Sequence, residues 1–138
     1  QRMIDLVRAD IGDDLKGKKI AVLGGAFKPD SDDVRDSPAL DIAAQVHAAG
    51  AKVVVHDPKA IEPARLRHPE LQYTANLEEC LRDADIVLHL TEWKIYREID
   101  PGVALGLVRS AVIIDGRNAL NREAWIAAGW KFRALGRS

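Results

Sequence analysis

The chain is punctuated by short apolar runs, each followed by a turn residue and then by a segment of helical periodicity. "KKIAVLGG" (18–25) is the first, an unbroken run ending in two glycines, as in a strand buried on both faces. "AKVVVHDP" stops at Pro58, "DIVLHL" spans Asp85 to Leu90, "AVIID" ends at Asp115, and "WKFRALG" closes the series. "LQYT" reads as a brief edge strand. The segments between them carry helix signals. Ser37 followed by Pro38 is an N-cap with proline at the first helical position; Leu40, Ala43, Ala44 and Val46 supply an apolar face; Gly50 is placed to end the helix. Asn76 can cap "LEECLRDA", Pro101 opens a short helix over "GVALGLVRS", and "NREAWIAAG" is a helix ending at Gly129. Residues 59–70, with two prolines, read as a short helix or a loop, and "TEWKIYREID" carries no clear periodicity.

Met3, Ile4, Val7 and Ile11 fall at helical spacing ahead of the first strand, as the tail of a helix cut from something longer. Strand–helix alternation predicts an α/β fold: a Rossmann-like three-layer αβα sandwich on a mainly parallel sheet of about five or six strands. The 138 residues suffice for one domain with a real core. A net charge of −1 gives no electrostatic case for nucleic acid or an anionic membrane. No apolar run approaches the roughly 18–20 residues that span a bilayer. Cys80 is the single cysteine, which excludes an intrachain disulfide and fits a reducing cytoplasm. The four histidines lack metal-ligand spacing.

Ligands of such sheets bind beyond the carboxyl ends of the strands. The residues there are Phe27, Lys28 and Arg35, then Asp57, then Thr91 to Trp93, then Asp115 to Asn118. The first loop, "GGAFKPDSDDVRDSPAL" (24–40), lacks G-x-G-x-x-G, so it is not a nicotinamide-binding turn. Lys28, Arg35 and Arg117 could face a diphosphate from one rim. Equally, Arg35 could pair with Asp30, Asp32, Asp33 or Asp36, and Arg117 with Asp115. Asp57 mimics a ribose-holding acid, but "DP" also starts turns. His56 and His89 read as core or edge residues and Cys80 as an inert packed thiol. Of the three tryptophans, all core candidates, Trp93 is the best placed to line a site.

The loop 24–40 resembles the G-x-A-F-K-P-x-T-D-D-x-R-x-S-P-x-x signature that opens the carboxyl-terminal UDP-binding domain of the UDP-glucose/GDP-mannose dehydrogenase family. "VVVHDPKA", "ADIVLHLTEWKIYREID", "VIIDGRNAL" and "AAGWKFRALGR" are similar to its later segments, in order, from about residue 13 to 137. Gly25 and Ser31 are the departures, and neither removes a charge. The T-E-W segment favours the branch that oxidises UDP-glucose over those acting on GDP-mannose or UDP-N-acetylmannosamine. The resemblance implies that residues 1–15 end an interdomain linking helix and 16–138 form the UDP-binding domain. It implies that Phe27, Lys28 and Arg117 contact UDP-glucose, Arg117 from its own or a neighbouring subunit, and that Arg35 reaches toward NAD. It also implies a homo-oligomer, and amino-terminal NAD-binding and central domains that carry the catalytic cysteine. The sugar's C6 alcohol is there oxidised twice with two NAD, through a thioester. On this reading the chain carries no catalytic residue and no metal ligand. The alternatives are the same domain from a UDP-N-acetylmannosamine or GDP-mannose dehydrogenase, or a stand-alone nucleotide-binding or oligomerisation module.

Overall fold

The apolar runs become the strands β1 (Lys19–Leu23), β2 (Lys52–His56), β3 (Gln72–Thr74), β4 (Ile86–His89), β5 (Val112–Asp115) and β6 (Lys131–Ala134). In the computed structural model, which describes residues 3–26, 33–35 and 37–134, they form one six-stranded sheet in the order β3-β2-β1-β4-β5-β6. Each neighbouring pair is parallel. The expected sheet is thus met at its upper size and is entirely parallel. The central strands are buried along nearly their whole length: Ile20 to Leu23, Val53 to His56 and Ile86 to His89 all lie in the interior. This is why their sequences run apolar without alternation.

The helices are α1 (Met3–Ile11), α2 (Pro38–Ala48), α3 (Ile61–Arg67), α4 (Leu77–Leu81), α5 (Lys94–Arg97), α6 (Pro101–Leu105) and α7 (Arg122–Ala127). Ser37 caps α2, Asn76 caps α4 and Asn121 caps α7, each side-chain oxygen accepting an N–H of the first turn. The ambiguous 59–70 segment resolves as helix, with Pro63 in the first turn, where no N–H is needed. "TEWKIYREID" holds the short α5. The helix opened by Pro101 is shorter than its sequence suggests. It stops at Leu105, where Gly106 becomes the C-cap and its N–H turns back to Val103 O.

From the centre of the sheet the chain steps outward in opposite directions, β1 to β2 and β4 to β5. Right-handed crossovers therefore put α2 and α3 on one face and α6 and α7 on the other. The same reversal opens a crevice between the carboxyl ends of β1 and β4. On the α2 face, α1 is clasped to β6 through the half-buried Asp10, whose covered carboxylate meets Arg133 Nη2 at 2.7 Å and Lys131 Nζ at 2.9 Å. Burial alone would raise this carboxyl; the two cations outweigh it and hold it below its ordinary range. Among the described residues no helix is long and apolar enough to cross a membrane.

Candidate functional site

The start of the loop after β1, Gly24 to Ala26, is built into the crevice by contacts from both sides. Gly24 takes φ +99°, and a Cβ there would overlap the Thr91 side chain and lie 2.9 Å from Thr91 N. Only glycine permits both the left-handed turn and this approach of the two loops. Thr91 Oγ1 donates to Ala26 O at 2.9 Å, tying the β4 loop to the β1 loop. From the other side comes Asp57, at the end of β2 and buried. Its Oδ2 accepts Gly25 N (2.8 Å) and Ala26 N (3.1 Å). Its Oδ1 accepts Lys59 N (2.8 Å) and Ala60 N (2.6 Å). The turn-capping reading of Asp57 therefore holds, and the grip on the first loop is an addition that sequence reasoning missed. With its acceptor positions filled by amides, the carboxylate has no capacity left for ribose hydroxyls. Ser37 completes the bolt: its hydroxyl donates to Gly25 O at 3.0 Å and accepts Leu40 N at the start of α2.

Across the crevice a second aspartate organises a second loop. Asp115 ends β5 and is buried. Its Oδ1 accepts Arg117 N (3.0 Å) and faces His89 Nδ1 at 2.8 Å. Its Oδ2 accepts Ala119 N (2.9 Å) and Leu120 N (2.8 Å). Burial would raise the Asp115 carboxyl, but the bonds from His89, Leu120 N and Arg117 N prevail and hold it below the usual carboxylate range. The chain thus winds around one carboxylate from 115 to 120, with Asn118 at φ +56°. The Arg117 guanidinium points away from that carboxylate to Glu92 in the β4 loop, Nη2 at 2.9 Å and Nε at 3.2 Å from Oε1. Both side chains are part-exposed. The expected alternative partner, Asp115, takes only the Arg117 backbone. Glu92 was not singled out in the sequence, although the T-E-W segment placed it on the rim.

Of the other sequence-derived candidates, Arg35 is exposed and holds Asp33 through Nε (3.1 Å) and Nη2 (3.2 Å), so the ion-pair reading of this arginine is realised. Phe27 and Lys28 lie outside the described residues. Trp93 is buried at 5% exposure and belongs to the core rather than to a site wall. Burial pushes the Cys80 thiol up to about 12, and its Sγ lies 3.5 Å from Val54 O, which makes it a poor nucleophile. His56 Nδ1 meets Tyr96 Oη at 2.8 Å while that hydroxyl donates to His56 O, and burial lowers the histidine's pKa. Among the described residues no group of His, Cys, Asp and Glu could hold a metal ion. A cavity of about 310 Å³ lies at the opposite, amino edge, lined by Lys19, Lys52, Arg82, Arg109, Glu79 and Asp83. There the Lys19 ammonium is already spent on the carbonyls of Glu79 and Arg82 at the end of α4.

Comparison with known proteins gives the chain a family. The family profile described as "UDP-glucose/GDP-mannose dehydrogenase family, UDP binding domain" matches residues 21–122. UDP-glucose 6-dehydrogenase TuaD of Bacillus subtilis (strain 168) is 39% identical over 124 residues, covering 89% of this chain and 27% of that protein. Among solved structures, an NDP-N-acetyl-D-galactosaminuronic acid dehydrogenase from Methanosarcina mazei Go1 superposes with a TM-score of 0.86 at 34% identity, covering 99% of this chain and 29% of that one. A UDP-glucose dehydrogenase from Pyrobaculum islandicum gives 0.77 at 30% identity, covering 94% and 28%. The chain spans about three-tenths of the length of the curated relatives it matches. By its match to the family profile, its likeness to curated members and its fold, this chain belongs to the UDP-glucose/GDP-mannose dehydrogenase family, as its UDP-binding domain.

Proposed function

We propose that this domain holds the nucleotide sugar in an NAD-dependent UDP-glucose 6-dehydrogenase, with the UDP seated over the β1–β4 crevice. The observation that carries the reading is Arg117: a guanidinium on a loop wound around a buried carboxylate, at the sheet edge where ligands of this topology bind. Glu92 keeps the fork extended across the rim, and an arginine so held loses little freedom on meeting a phosphate or sugar hydroxyl. Phe27 and Lys28 would join from the first loop. Binding energy from UDP, remote from the reacting carbon, would fix the sugar for oxidation and help exclude water.

The described residues do not fit a whole nicotinamide dinucleotide. No G-x-G-x-x-G turn follows β1, and the acceptor capacity of Asp57 is filled by backbone amides. We therefore assign NAD chiefly to domains beyond this one, with Arg35 as this chain's contact toward it, and route no chemical step through it here. The same domain in a dehydrogenase of an N-acetylhexosamine nucleotide is the second reading, favoured by the likeness to the Methanosarcina mazei structure. Amide chemical-shift mapping of the 138-residue chain with UDP tests the site. Shifts should cluster at Gly24, Gly25, Ala26, Thr91, Arg117 and Ala119. Shifts confined to the amino edge, or none, would refute the assignment. Repeating the titration with UDP-glucose and UDP-N-acetylgalactosamine separates the two sugars.

A further inference from the structure

His89, the last residue of β4, is buried to 0% exposure, and nothing in the proposed UDP contacts uses it. Its Nδ1 meets Asp115 Oδ1 at 2.8 Å, and since a carboxylate only accepts, Nδ1 carries the donated proton. Its Nε2 is buried and has no hydrogen-bond partner among the described residues. A ring with an orphaned nitrogen is a poor occupant of a strand interior, where its neighbours are Val87 and Leu88 and an apolar residue would cost less desolvation. What the ring supplies is one donor, aimed at the carboxylate that carries the Arg117 loop. Tyr96 fixes the plane of that ring from the side, edge-on with centroids 5.7 Å apart. The His89 carbonyl accepts Gly116 N at 2.9 Å, so strand end and loop are joined by backbone as well.

We propose that His89 is a positioning residue for the ligand loop: through Nδ1–H it locks the rotation of the Asp115 carboxylate, and that carboxylate sets the path of 116–120 and the aim of Arg117. The proposal rests on the reading of Arg117 as a nucleotide-sugar contact. Without His89, the Asp115 carboxylate keeps, among the described residues, only the amides of the very loop it must hold, so loop and carboxylate move together. Ile114 and Val87, within the sheet ladder, feel none of this.

Two substitutions in the 138-residue chain test it. His89→Leu removes the donor; His89→Asn keeps an N–H at about the reach of Nδ1. If His89→Leu does not fold, His89→Gln serves in its place, because its longer side chain carries the donor away from the Nδ1 position. In the donor-less variant, amide exchange at Arg117, Ala119 and Leu120 should accelerate about tenfold relative to Val87 and Ile114. The UDP dissociation constant should rise about tenfold, and His89→Asn should recover most of both. Unchanged exchange at the three loop amides overturns the proposal. So does loosened exchange with UDP affinity intact, or an asparagine variant no better than leucine. If the unsubstituted chain does not bind UDP at all, the nucleotide-site reading fails, and the exchange data still decide whether His89 holds the loop.

Discussion

Asp57 and Asp115 flank the crevice almost symmetrically, one at the end of β2 beside β1, the other at the end of β5 beside β4. Each is buried and each organises a loop with its carboxylate, yet they are satisfied differently. Asp57 is saturated by backbone amides from two loops and needs no side-chain donor. Asp115 takes its amides from a single loop, and its remaining bond comes from a histidine on the neighbouring strand. The Asp57 corner is therefore fixed by main-chain geometry. The Asp115 corner depends on one particular side chain, and the loop it steers carries the arginine assigned to the ligand.

The sharpest way to break this comparison is to delete each carboxylate. Asp115→Ala should cost about 3–5 kcal/mol, because it orphans three loop amides and the His89 Nδ1–H at once. Asp57→Ala should cost about 2–4 kcal/mol through orphaned amides. In a His89→Leu background the Asp115 penalty should shrink by about 1–3 kcal/mol, while the Asp57 penalty stays the same. Urea denaturation of the variants measures all of this. Equal coupling of His89 to both aspartates would erase the distinction.

Gly24→Ala comes next, at about 2–3 kcal/mol, because it strains a left-handed residue and forces Thr91 away. It should also uncouple the loops, visible as loss of exchange protection at Gly25 and Ala26. An alanine variant as stable as the parent would mean that the two loops are not held against each other.

These differences explain what the sequence revealed and what it withheld. Strands and caps follow local rules, so Ser37, Asn76 and Gly50 could be read directly, as could the alternation that sets the sheet. Asp57 was legible as a turn cap because its cap partners are two and three residues away. Its hold on Gly25 spans 32 residues and was not legible. The His89–Asp115 bond spans 26 residues and the Arg117–Glu92 pair 25, and both depend on β4 and β5 being neighbours. Arg117 itself was placed on the rim because a strand end followed by glycine is a local signal. Its guanidinium partner was not, because sequence proximity pointed to Asp115. Phe27 and Lys28 were placed on the rim by the strand end before them and given a UDP-glucose contact by the resemblance; both lie outside the described residues.

Acid gives a smaller effect, at two separate carboxylates. The folded Asp115 carboxyl is held below its ordinary value of 3.8. Its contribution to stability is complete above that value and is lost as the pH falls through the lower folded one. Asp10 behaves the same way at the α1–β6 clasp. The amide shifts of Ala119 and Leu120 should stay constant from neutral pH to about pH 4 and move only below it. Movement of these amides between pH 5 and 7 would show that Asp115 is not the acceptor that holds them.

The central claim is that Arg117 is steered toward a nucleotide sugar rather than kept to stiffen a turn. Its pair with Glu92 is part-exposed, so Arg117→Ala should change stability by less than about 1 kcal/mol. The most direct measurement is UDP titration of the 138-residue chain and its Arg117→Ala and Arg117→Lys variants, with a thermal melt of each. Alanine should weaken UDP binding by about 1.5–3 kcal/mol with the melting temperature nearly unchanged, and lysine should recover only part, since a point charge cannot replace a fork. An alanine variant that melts early yet binds UDP as tightly as the parent would contradict the account.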